Sequence, residues 1–177
     1  MPRFVVFLRA VNVRPRMLRM QLAREALIEA GFTGVETHIQ SGNVLVGTTL
    51  RSAPKVEAAV SEALRAAAGF EIPCMARTPA QLSELVGWAD ATPDLLPGGG
   101  RRYLVFAQQE PPAAGVAALA EWEPEGEAAL VRGRDILLEL AVPAHAARLT
   151  NARLSRLAGP TTTRDMTVVR AITQRWS

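Results

Sequence analysis

The chain has 177 residues, of which 49% are hydrophobic but only 5% aromatic, with a formal charge of +3. At this length roughly 70% of the unfolded chain's surface can be buried, so the fold needs no disulfide or metal to hold it, and its core must be built from Ala, Val and Leu. Fibrous, disordered and repetitive classes are excluded by the same composition. Lys55 is the only lysine, and the other nineteen cations are arginines, which explains a pI near 9.9. They are unevenly placed: residues 1–24 carry six arginines and no acid, and residues 145–177 carry six against Asp165 alone. Between them Glu110, Glu121, Glu123, Glu125 and Glu127 run with no base. This asymmetry fits an anionic ligand near the chain's two ends, or those ends facing the acidic segment.

Phe4 to Leu8 is a continuous apolar run, expected of a central strand covered on both faces. Residues 17–30 have helical spacing and stop at Gly31. Val35–Gln40 and Val44–Gly47 flank Ser41-Gly42-Asn43 as two strands of a hairpin. Because Val44, Leu45 and Val46 are consecutive apolar residues, both faces of that strand should be covered, most economically by the second half of the chain. An Ala-rich helix over 53–68 ends at Gly69, and Glu71–Ala76 makes a fourth strand. Thr78 and Pro79 open a helix to Trp88, and the breaker-rich stretch 92–100 follows.

The order then recurs. Tyr103–Ala107 reads as a strand, 113–122 as a helix, Glu127–Val131 and Ile136–Leu140 as a hairpin, and Arg148–Ala158 as a helix. Thr161–Arg164 is a short strand and 165–175 a closing helix. The expected architecture is α+β, two ferredoxin-like βαββαβ lobes arising as a pseudo-duplication, over 1–91 and 92–177. No residue-level repeat is visible.

In such a unit the first strand runs antiparallel beside the third, so its end lies at the edge formed by the hairpin between strands two and three. Arg9 and Asn12 therefore converge with Gln40, Ser41 and Asn43, a set able to anchor a phosphate or carboxylate. Ordinary turn chemistry accounts for the same Ser-Gly-Asn triplet.

Those segments, Phe7-Leu8-Arg9-Ala10-Val11-Asn12-Val13 and His38-Ile39-Gln40-Ser41-Gly42-Asn43-Val44, resemble the opening pattern of the bacterial domain-of-unknown-function 1697 family. Gly133-Arg134-Asp135-Ile136, Arg148-Leu149-Thr150-Asn151 and Thr162-Thr163-Arg164-Asp165 resemble its later motifs. The resemblance implies a shared fold and a site location, and it implies no reaction. Three departures stand out. Ala10 replaces a family glycine, Arg14-Pro15 a glycine pair, and Arg164-Asp165-Met166-Thr167-Val168 an Arg-Asn-Trp-Asn-Thr stretch.

The leading expectation is a small anionic ligand held by Arg9, Asn12, Gln40, Ser41 and Asn43, completed by Thr150, Asn151 and Arg164, with catalysis open. Nucleic-acid binding is the alternative, suggested by arginine content and fold, although Val44-Leu45-Val46 offers no aromatic for base stacking. A non-catalytic assembly module is the third. Cys74 is the single cysteine and excludes an intramolecular disulfide. His38 and His145 are the only histidines, so neither a metal nor a cofactor is expected. No apolar run approaches the roughly 18 residues of a membrane span. Residues 1–3 lead directly into a strand, so a soluble cytoplasmic protein is expected.

Overall fold

A computed structural model describes residues 1–11 and 14–177. The chain is α+β and divides into two compact units, Met1–Leu82 with Trp176–Ser177, and Ser83–Arg175. Each holds one four-stranded antiparallel sheet paired with helices in the same order, as the sequence leads one to expect.

Unit 1 contains β1 (Arg3–Leu8), α1 (Met20–Glu29), β2 (Thr33–His38), β3 (Asn43–Gly47), α2 (Ala53–Ala68) and β4 (Cys74–Arg77), with sheet order β2-β3-β1-β4. That is the ferredoxin-like arrangement, with the first strand central. Phe4, Val6 and Leu8 alternate toward the helices and pack with Leu27 of α1 and Val56, Val60 and Leu64 of α2. Val5, Phe7 and Leu45 point the other way and are buried too, so β1 and β3 are covered on both faces within the chain. Helix α2 ends at Gly69, whose φ of 78° is the left-handed cap that a glycine supplies without strain.

The start of α3 (Pro79–Ala91) shows a reciprocal cap. Gln81 N–H donates to Thr78 Oγ1 at 3.2 Å, and Thr78 N–H donates to Gln81 Oε1 at 2.9 Å. In unit 2 the breaker-rich segment after α3 is held by Arg102. Its guanidinium donates to the carbonyls of Ala89 and Thr92 and pairs with the buried Glu139 at 2.7 Å, and Leu96 N–H donates to the same carboxylate.

Unit 2 continues with β5 (Arg101–Ala107), α4 (Ala113–Ala120), β6 (Glu127–Arg132), β7 (Asp135–Leu140), α5 (Asn151–Ala158), β8 (Thr161–Asp165) and α6 (Met166–Trp176, its last residue counted with unit 1). Its sheet order is β6-β7-β5-β8. The pseudo-repeat shows in the register of the two central strands. Val5 lies between Leu45 and Arg77, and Leu104 lies between Leu137 and Arg164. Both arginines are buried. Likewise Arg9 N–H donates to Pro73 O at 2.9 Å, and Gln108 N–H to Pro160 O at 3.0 Å.

Element ends differ from the sequence reading by a few residues. The first helix starts at Met20 rather than 17, and β2 ends at His38 rather than Gln40, leaving Ile39–Gly42 as the turn. Among the described residues no helix is long and apolar enough to cross a membrane.

Helices α4 and α5 approach so closely that a Cβ on Gly115 would strike the carbonyl of Leu157. Gly115→Ala should therefore lower stability by roughly 1–3 kcal/mol. Urea unfolding checks this, and an unchanged midpoint would show that the two helices separate freely.

Candidate functional site

The end of β1 and the β2–β3 turn meet as the topology requires. Phe7 pairs with Asn43, and Leu8 N–H donates to Gly42 O at 2.8 Å. Arg9 follows directly on Leu8 at that edge, and its N–H donates to Pro73 O at 2.9 Å. Arg9 is half-buried, while Gln40 and Ser41 are exposed. Among the described residues, the Arg9 side chain forms no hydrogen bond or ion pair. Asn12 lies outside the described residues.

The turn is braced from within. Asn43 is fully buried, and its Nδ2 donates to His38 O and to Ser41 Oγ, each at 3.0 Å. Asn43 therefore positions the turn and holds the Ser41 hydroxyl from below. Gly42 fits tightly over the strand end: its φ is 80°, and a Cβ there would lie 2.9 Å from Leu8 Cβ. The His38 imidazole stands edge-on to Trp176 with ring centroids 6.2 Å apart, while Trp176 Nε1 donates to Glu36.

Backbone strain gathers at the same edge. Ala10 with φ 55° and Ile39 with φ 52° are non-glycine residues in the left-handed region, costing about 1–2 kcal/mol each. Ala10 directly follows Arg9, and Ile39 precedes Gln40. A glycine would take either conformation without that strain.

Thr150, Asn151 and Arg164 belong to unit 2. The first two line a cleft of about 260 Å³ together with Thr163, Asp165 and Tyr103. Thr150 caps α5 by accepting from Arg153 N–H, and Asn151 Oδ1 accepts from Thr163 Oγ1 at 2.7 Å. Arg164 is absent from that lining. Strand alternation turns it to the opposite face of β8 from Thr163 and Asp165, where its guanidinium donates to Thr162 Oγ1 and Thr163 O. Burial there pulls its pKa down to about 10, so it stays charged at neutral pH. The equivalent of the Arg9 edge in unit 2 is closed differently, because Arg134 of the turn donates to the carbonyl of Gln108.

Sequence reasoning missed two residues that line the cleft and one that braces its wall. Tyr103 and Asp165 read only as a strand start and a lone acid. Glu127, counted there as the end of an acidic run, is buried and accepts the N–H groups of Arg148 and Leu149, fixing the loop that walls the cleft. No local signal links residues so far apart in sequence. Burial alone would raise the Asp165 carboxyl, but hydrogen bonds from Thr167 and Arg101, with the Arg101 charge, outweigh it and hold the group below its ordinary value. Cys74 is buried, and burial pushes its thiol well up, with the Glu57 carboxylate adding to the shift, which leaves an inert packing group.

Taken together, the register and caps define a two-lobed protein in which each lobe repeats one ferredoxin-like unit. The family model described as a protein of unknown function, DUF1697, matches residues 1–137, and the chain belongs to that family. A solved structure of the conserved bacterial protein SP0830 from Streptococcus pneumoniae superposes with a TM-score of 0.73 at 19% identity. The match covers 99% of this chain and 98% of that one, a likeness of fold. No curated protein matches the chain.

Two outcomes test this geometry. Ala10→Gly should raise stability by roughly 0.5–1 kcal/mol, because relief of left-handed strain exceeds the added chain entropy; the urea midpoint should rise at constant slope. For Asp165, a folded pKa below the unfolded value gives stabilisation that is full above about pH 4 and lost as pH falls through the folded value. Asp165→Asn should therefore flatten the acid limb of a pH-dependent melting profile. An unaltered limb would assign acid sensitivity to other carboxylates.

Proposed function

We propose that the chain binds a small anionic ligand, phosphate- or carboxylate-bearing, where β1 ends beside the β2–β3 turn. The observation that carries this reading is a half-buried Arg9 without an acidic partner among the described residues, at the strand end that meets a turn braced by Asn43. An arginine offers a planar fork of donors that matches a carboxylate or phosphate edge, and charge-assisted bonds of that kind are about twice as strong as neutral ones. Ser41 and Gln40 add polar groups at the rim. Strained backbone on both segments supports the same place, since such strain persists where surrounding structure over-determines it and gathers at ligand clamps.

The geometry favours binding over serine-based hydrolysis. The Ser41 hydroxyl is held by the Asn43 amide, and the His38 ring engages Trp176. A small ligand is also favoured over single-stranded RNA. The sheet surface on which four-stranded modules stack bases is buried here at Val5, Phe7 and Leu45.

Titration with inorganic phosphate and with AMP, read by phosphorus NMR, tests the assignment. Wild type should bind, Arg9→Ala should weaken binding about tenfold or more, and Arg134→Ala should leave it unchanged. Equal affinity in wild type and Arg9→Ala would sink the reading.

A further inference from the structure

The unit 2 cleft calls for a different chemistry. Its volume is about 260 Å³, and its floor is apolar and buried at Leu138, Leu140, Leu149 and Leu154. No arginine lines it, and the one charged group present is Asp165. That carboxylate is already satisfied, with one oxygen taking Arg101 Nε at 2.6 Å and the other taking Thr167 N–H and Oγ1. Arg101, whose guanidinium also lies 5.8 Å from the Tyr103 ring centroid, is committed to that carboxylate, so an anion would find no uncommitted cation in the lining and an ammonium would compete with bonds already formed. The chemistry that fits is uncharged.

Two donors point to what such a molecule carries. Thr163 Oγ1 donates to Asn151 Oδ1, so the NH₂ end of the Asn151 amide is the end left to donate. Tyr103 supplies a phenolic O–H, and neither donor is hydrogen-bonded to another described residue. A cavity of about 150 Å³ lined by aliphatic side chains takes up benzene, so this larger space holds a substituted ring or a short branched chain and is too small for a peptide helix. The buried Glu127 clasp on residues 148 and 149 keeps the wall in place.

We propose that this cleft binds a small uncharged molecule with an apolar ring or chain and one carbonyl acceptor, which takes its hydrogen bonds from Asn151 and Tyr103. The site is separate in residues and chemistry from the anion site, so either can fail alone.

Nitrogen–proton correlation NMR on the full chain, titrated with acetophenone and with ethylbenzene, decides it. Both probes should give saturable shifts confined to residues around 138–140 and 147–154. Acetophenone should bind about five- to tenfold tighter, the worth of one or two hydrogen bonds. In Asn151→Ala and in Tyr103→Phe that preference should fall to within about twofold, and Ala147→Phe, which fills the space, should abolish both responses. Shifts scattered elsewhere, no saturable response up to the solubility of the probes, or equal affinity of the two probes for wild type would overturn the proposal. So would a preference that survives in both Asn151→Ala and Tyr103→Phe.

Discussion

The antiparallel register of the central strand is the constraint on which each unit depends. With β1 between β3 and β4, three chain segments far apart in sequence must end side by side, and the hydrogen bonds of Leu8 to Gly42 and Arg9 to Pro73 fix that meeting to the residue. A slip of β1 by one position would turn Val5 and Phe7 onto the helix side and send Phe4, Val6 and Leu8 away from it. Since both faces are buried, such a slip would strand large side chains against the wrong partners. The place where Arg9 stands is therefore a consequence of core packing.

The same central-strand register written twice shows how a repeat can be plain in space and nearly invisible in sequence. Phe7 and Phe106, Arg77 and Arg164, and Pro73 and Pro160 occupy matching places, but the spacing between partners differs from strand to strand because the connecting loops differ in length. A comparison along the chain slides past these pairs. The two edges that correspond have also diverged. In unit 1 the cation sits on the strand end as Arg9, and in unit 2 it sits on the turn as Arg134 and serves the backbone of Gln108.

Several polar side chains in both units carry a structural task. Asn43 braces its turn, Arg164 is buried against its own strand, and Glu127 clasps a loop. Each satisfies groups that burial would otherwise leave unpaired, a need worth about 1–3 kcal/mol apiece. What remains at the edge and in the cleft separates into two chemistries, a cation beside a rigid turn and a largely apolar cleft with two donors and one carboxylate that is already paired. The sequence reading joined Thr150 and Asn151 to the anion site; the carboxylate of Asp165 beside them speaks for a different occupant.

The element order, the doubled βαββαβ pattern, the coverage of Val44–Val46 on both faces and the meeting of the β1 end with the β2–β3 turn were all legible in the sequence. They follow from periodicity and breakers, which are local, and from one topological rule. The left-handed backbone at Ala10 and Ile39, the face of β8 that Arg164 takes, and the cleft with Tyr103 and Asp165 were decided only by tertiary structure. They depend on contacts between residues twenty to sixty apart in sequence, and on which side of a strand a single residue falls, matters that local pattern does not carry.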